Sequence, residues 1–306
     1  MRVRRLDATP APTPILSHVG RVTPTKNAAD HTIPLITAAT QATRTDPFQS
    51  GFLIELPSAG ELLVTGDIHG NAGNLQRIVQ VADLGRCPGR HLVLQELVHE
   101  LQAVDDVCRS YRLVEIAAQL KCAYPKQVHI LLGNHEFAEC LGLEIGKRGR
   151  ELNAAFADGL RAAYGESWEE VKEAYHEFWT SCPLAVHTSN GLFVSHSTPH
   201  LDRMNGLTLE YLRTATVADA FRRDGPVFSL LWDRDYRPQT AEAFAQRMQA
   251  EVLLVGHTAC ADGMQVPNKR HIILDSKDFE GRYVLLPLDR ELDQRRVLAY
   301  VQRLYR

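Results

Sequence analysis

Between residues 61 and 132, short apolar runs alternate with amphipathic stretches, and two of the runs end in a glycine followed by side chains that ligate metals. Runs 61–65, 91–94 and 128–132 are short and continuously apolar, which reads as buried strand. Stretches 74–84 and 107–120 carry apolar residues at helical spacing, and Pro125 ends the second. Strand, helix, strand, helix, strand in that order predicts parallel pairs joined by right-handed crossovers. Ligands in such sheets gather where the strands end. Gly66-Asp67-Ile68-His69-Gly70 stands at the first exit and Gly133-Asn134-His135-Glu136 at the third.

The rest of the chain fits around this unit. Stretches 150–164 and 168–179 have apolar stripes with charged opposite faces and read as helices. Runs 183–187 and 192–195 flank Ser189-Asn190-Gly191, a hairpin signal. Helices are expected around 207–212 and 240–250, and strands at 252–255, 271–274, 282–286 and 297–301. An α/β first half and a β-rich end suggest two layered sheets with helices outside. Residues 1–50 contain Pro10, Pro12, Pro14, Pro24 and Pro34 among threonines and alanines, and read as an extended or partly disordered arm before a single domain at 51–306.

Composition excludes several classes. With 34 Lys+Arg against 37 Asp+Glu, a net charge of −3 argues against a nucleic-acid partner. No apolar run reaches the roughly 18 residues of a membrane span, and Met1–Arg5 is not followed by a signal-like apolar stretch. The six cysteines (Cys87, Cys108, Cys122, Cys140, Cys182, Cys260) are scattered, which fits reduced thiols and a cytoplasmic location.

The chemistry concentrates at strand exits. Asp67 and His69 can converge on one divalent ion if the backbone bends between them. Asn134 and His135 repeat the arrangement, His196 follows run 192–195, and His257 follows run 252–255. A Gly-Asp turn or a lone histidine is ordinarily structural, but four exits of the same character favour a metal centre. Mixed nitrogen and oxygen ligands without thiolate suit Mn, Fe or Zn. Clusters such as Lys147, Arg148 and Arg150 are ordinarily solvated charge runs.

Taken together and in order, Gly66-Asp67-Ile68-His69-Gly70, Gly133-Asn134-His135-Glu136, His196 and Gly256-His257-Thr258 resemble the motifs of the calcineurin-like metallophosphoesterases. Their spacing, with Leu230-Leu231-Trp232 before the last histidine, is similar to the phosphoprotein phosphatase (serine/threonine phosphatase) branch. The resemblance spans about residues 60–290. It implies a four-layer α/β/β/α β-sandwich flanked by helices, with two divalent metal ions between strand ends. Asp67 and His69 would hold one ion, Asn134, His196 and His257 the other, and His135 would protonate the leaving alkoxide. Water shared by the ions would attack phosphorus in line.

The same resemblance exposes a break at the second strand's exit. The family pattern there is Gly-Asp-x-x-Asp-Arg-Gly; this chain has Gln95-Glu96-Leu97-Val98-His99-Glu100. Glu96 falls on the aspartate that bridges the metals, and His99 on the aspartate that supports the acid histidine. Glu100 replaces the arginine that clamps phosphate. Arg234, where the family commonly has another phosphate-binding arginine, and the 147–150 cluster with Arg148 are the candidate replacements. The expected activity is hydrolysis of phosphomonoesters, with a phosphoprotein or a small phosphoester as the phosphorylated substrate. Hydrolysis of nucleotides or dinucleoside polyphosphates is the enzymatic alternative, which a substrate panel separates. A non-catalytic scaffold that keeps the fold is the other, which metal counting separates.

Overall fold

The computed structural model of the chain describes residues 28–101, 107–147 and 149–305. Two sheets lie face to face. One has, in spatial order, Val301–Arg303, Arg282–Pro287, Glu61–Asp67, Arg90–Gln95 and Val128–Leu131. The other runs Gln49–Ser50, Leu53–Leu56, Ala185–Thr188, Leu192–Ser195, Val252–Val255, His271–Leu274 and Met264–Gln265. Strands 61–67, 90–95 and 128–131 pair in parallel, as their alternation with helices predicts. Strands 192–195 and 252–255 also pair in parallel, and 185–188 and 192–195 form the expected hairpin.

Strand periodicity explains how one sheet serves two cores. Successive side chains point to opposite faces. Leu62, Val64, Val93 and Val284 therefore meet Ile54, Val194, Leu254 and Ile272 between the sheets. Leu63, Leu92, Leu94, Phe193 and Leu253 face outward into a second cluster with helical residues such as Leu113, Val114, Phe244 and Met248. Helix, sheet, sheet and helix form the four layers. At Gly66 the sheets nearly touch: a methyl group there would lie 2.1 Å from the Leu274 carbonyl oxygen. Asp67 and Asp275 bridge the sheets at that point.

Two expectations are corrected. Part of the 1–50 arm is helix, Ala28–Arg44, packed against helices Tyr111–Ala123 and Trp168–Ser181; residues 1–27 lie outside the described residues. Its buried face is Ala29, Thr32, Ile36, Ala39, Thr40 and Thr43, a helical stripe built mostly from alanine and threonine. The Thr40 and Thr43 hydroxyls donate to the Ile36 and Ala39 carbonyls, which lets polar side chains enter the core satisfied. Run 297–301 is not a strand: Asp293 caps a helix, Gln294–Leu298, and pairing resumes at Val301–Arg303.

Behind the Ala28–Arg44 helix, Lys121 is fully enclosed. Its Nζ donates to Asp46 Oδ2 (2.6 Å) and to the carbonyls of Pro125 (2.8 Å) and Val128 (2.9 Å). The three acceptors match the three ammonium protons, so a buried cation is fully satisfied. No described helix is long and apolar enough to cross a membrane.

Candidate metal centre

Five strand ends converge on one cleft. Strand 61–67 delivers Asp67 and His69, strand 90–95 delivers Glu96 and His99, and strand 128–131 delivers Asn134 and His135. The facing sheet delivers His196 and His257. The exits are interlocked: Ile68 and His69 donate backbone N–H bonds to the Glu96 carbonyl (3.0 and 2.9 Å), and Gly70 donates to Leu97. Six described non-glycine residues have left-handed φ, and four are His69, Glu96, His99 and His257. Each such residue stores roughly 1–3 kcal/mol, a cost seen where surroundings over-determine the backbone.

Two groups of ligand atoms are close enough to hold an ion: His69, Glu96 and His135, and Glu96, His196 and His257. Glu96 belongs to both. His196 Nε2 lies 2.7 Å from Glu96 Oε2, 2.9 Å from Asn134 Oδ1 and 3.0 Å from His257 Nδ1. One proton on that nitrogen cannot serve three neighbours at once. Convergent lone pairs of this kind suit a cation. Asp67 lies alongside, its Oδ1 3.7 Å from His196 Nδ1 and accepting from the His257 N–H (3.0 Å).

Backbone carbonyls set two of the imidazole tautomers. His69 Nδ1 is 3.2 Å from the Val98 carbonyl and His257 Nε2 is 3.1 Å from that of Trp232. A carbonyl only accepts, so each of these nitrogens carries the proton and the other keeps a lone pair, as outer partners of metal-binding histidines do.

Burial dominates the electrostatics. It raises Glu96 to about 8, against the His135 backbone hydrogen bond, and raises Asp67 to about 6. It also raises Glu136 to about 7, with Glu96 adding to the effect. Burial lowers His69 to about 3 and carries His135, His196 and His257 below their ordinary value. Several buried carboxyls among neutral imidazoles form a site that local positive charge would ionise. The residues present therefore fit divalent ions.

The substituted loop is tied down from the next motif. Glu136 Oε1 accepts the Leu97 and Val98 N–H groups (2.8 and 3.1 Å), and Glu96 Oε1 accepts the His135 N–H (2.9 Å). His99 Nδ1 lies 2.8 Å from His135 Nδ1. Glu100 is turned onto neighbouring backbone, its Oε2 accepting the Arg109 N–H (3.0 Å). Arg234 is exposed and reaches the cluster, with Nη2 3.4 Å from His257 Nδ1. Lys147 and Arg150 line a groove of 1280 Å³ that opens beside His69, with Lys277 and Phe279 on its wall. Arg148 lies outside the described residues.

Glu136, within the third-exit motif, and Glu139 are not singled out by the pattern of the sequence motifs. Glu139 stands four residues after His135 on one helix, so their spacing was a usable signal.

Several known proteins resemble this chain. A curated relative from Encephalitozoon cuniculi (strain GB-M1), named probable serine/threonine-protein phosphatase, is 22% identical over 250 residues, covering 75% of this chain and 50% of the relative. The chain thus spans about half the length of that relative. A serine/threonine phosphatase structure from Saccharomyces cerevisiae, described as similar to human phosphatase PP5, aligns with a TM-score of 0.65 at 17% identity, covering 84% of this chain and 82% of that one. A cold-active protein-tyrosine phosphatase from a psychrophilic Shewanella species aligns with a TM-score of 0.56 at 15% identity, covering 81% and 80%. At such identities these two likenesses speak to fold. The family model for calcineurin-like phosphoesterases matches residues 61–261, and the chain belongs to that family.

Proposed function

We propose that the chain hydrolyses phosphomonoesters with the help of two divalent ions, with phosphoserine or phosphothreonine in proteins as the leading substrate class. The observation that carries this reading is Glu96 in both ligand groups. One carboxylate common to two sites is what a paired-ion centre requires. Ions held by His69 and Glu96, with the Asp67 that the resemblance adds to them, and by Glu96, Asn134, His196 and His257, would supply Lewis-acid charge for phosphoryl oxygens and lower the pKa of water. Calcineurin-like phosphoesterases use divalent metals; Mn, Fe and Zn suit this donor set.

The chain's own residues do the rest. Arg234 offers a guanidinium beside His257, and turning its Nη groups from the Trp232 and His257 carbonyls (3.4 Å each) would let it bind two phosphate oxygens. His135 has its Nδ1 committed to His99, which leaves Nε2 to give a proton to the departing alkoxide. The groove beside His69 has room for more than a phosphate, and the relative named as a protein phosphatase supports a peptide there.

Metal counting and a substrate panel test the reading. Purified protein is expected to hold two ions per chain and to release phosphate from phosphopeptides with added Mn²⁺, with turnover lost in Glu96→Ala and after chelation. Preference for nucleotides over phosphopeptides would move the substrate assignment. Zero or one ion, with no turnover of phosphopeptide, nucleotide or aryl phosphate, would favour the scaffold.

A further inference from the structure

We infer that Glu139 is a positioning residue that acts on His135 through His99, completing a three-membered relay; this rests on the acid role of His135 proposed above. His135 and Glu139 project from one face of helix Asn134–Leu141, four residues apart. His99 stands between them, with Nδ1 2.8 Å from His135 Nδ1 and Nε2 2.9 Å from Glu139 Oε1. The chain lacks a carboxylate at position 99, and it draws one from the same helix as the acid, one imidazole further back.

The relay is built into the core. The His99 and Glu139 side chains are fully buried. His99 has a left-handed backbone (φ 63), its N–H donates to Ser110 Oγ at 3.0 Å, and its ring meets the Phe156 ring edge-on at 5.7 Å. A buried carboxylate without partners is expensive. Glu139 is balanced by Lys172, whose Nζ lies 3.0 Å from Oε2. An ion pair placed behind the His99–His135 pair has a use beyond stability.

Its use is to fix protons. An ionised carboxylate only accepts, so His99 carries its proton on Nε2 and presents a bare Nδ1 to His135. His135 must then keep a proton on Nδ1, which makes Nε2 the exchangeable position. Nε2, bare in the neutral ring, takes up a proton from solvent to give the imidazolium; in the protonation step that Nε2–H bond breaks and an O–H bond forms on the leaving alkoxide. His135 returns to neutral imidazole with its Nδ1 proton still held by His99. Without Glu139, His99 is free to carry its proton on Nδ1, which points it at His135 and forces the opposite tautomer.

The test uses Glu139→Gln in the full chain, with Glu139→Gln/Lys172→Gln as a second variant that strands no charge. In ¹⁵N-histidine-labelled protein, nitrogen-detected NMR is expected to show His99 protonated on Nε2 and His135 on Nδ1, with mixed tautomers in both variants. On a phosphoserine peptide, kcat should fall about 100-fold, the scale of general acid catalysis. The loss on 2,4-dinitrophenyl phosphate, whose leaving group needs no proton, should be at least tenfold smaller. Unchanged tautomers, or equal losses on both esters, would overturn the relay. If the unmodified protein hydrolyses neither ester, the hydrolase reading fails on its own, and the tautomers still decide the role of Glu139.

Discussion

Gly133→Ala tests the shared carboxylate without replacing a ligand. The backbone at Gly133 (φ −95, ψ 173) is open to any residue, so the variant introduces no conformational strain. Its added methyl would stand 2.8 Å from Glu96 Cδ and Oε2 and 2.8 Å from Glu136 Oε2, closer than ordinary contact by several tenths of an ångström. Neither carboxylate can step aside freely. Glu96 Oε1 is held by the His135 N–H, and Glu136 is held by Leu97, Val98 and Gly133 N–H groups. Overpacking of this sort costs about 1–3 kcal/mol. If relief comes from moving Glu96 out of the ligand groups, metal affinity falls by the same energy, about 5- to 150-fold. Titration calorimetry with Mn²⁺ and metal counting after dialysis read the change. Gly146→Ala, where a methyl would meet nothing within 4 Å, is the control. Two tightly held ions and unchanged turnover in Gly133→Ala would refute Glu96 as the shared anchor.

Other expectations follow from the same contacts. Lys121→Met leaves the buried Asp46 carboxylate without its cation and should cost about 3–5 kcal/mol by urea unfolding, whereas Asp46→Asn/Lys121→Met should recover most of the loss; equal destabilisation in both would reject the ion-pair account. Asp46 is opposed by burial but held down to about 2 by His129 and Lys121. A depressed acid stabilises the fold above its unfolded value near 3.8 and stops doing so as pH falls toward 2. The stability advantage of the unmodified chain over Asp46→Asn should therefore shrink across that interval, and a constant gap would be the contrary result. Arg234→Ala should lower kcat/KM on phosphopeptides about 10- to 150-fold, the value of a charged hydrogen bond, and weaken inhibition by inorganic phosphate. Arg234→Lys should restore it only in part, because the ammonium lacks the fork; full restoration would mean that charge alone matters there.

The strands could be read because their apolar runs are continuous, and their exits because glycine and ligand types recur there. Runs 192–195, 252–255 and 271–274 coincide with the strands formed. The Ala28–Arg44 helix is hidden for a physical reason: its buried stripe is mostly alanine and threonine, Pro34 lies inside it, and only packing against two other helices reveals the period. The site divides in the same way. Asp67 ends a strand, His196 directly follows one, and His69, Asn134 and His257 come two or three residues past one. The left-handed backbone at His69, Glu96, His99 and His257 could not be foreseen, because contacts between distant strand exits impose it.

The altered second exit shows why motif matching alone misjudges this chain. Position by position, Glu96, His99 and Glu100 look like three separate losses. In three dimensions, two of them are answered from helix Asn134–Leu141. Glu136 grips the backbone just after Glu96, and Glu139 lies behind His99. Gly133, at the start of that helix, leaves the space that the longer Glu96 side chain fills. The loop and the helix therefore act as one unit, and a change in either should be judged with its partner present. Restoring the shorter acid alone, Glu96→Asp, would withdraw a carboxylate from a space shaped for the longer one. By this argument it should weaken metal binding, although it brings the sequence nearer to the family pattern; tighter binding in that variant would show that the loop is not adapted to glutamate.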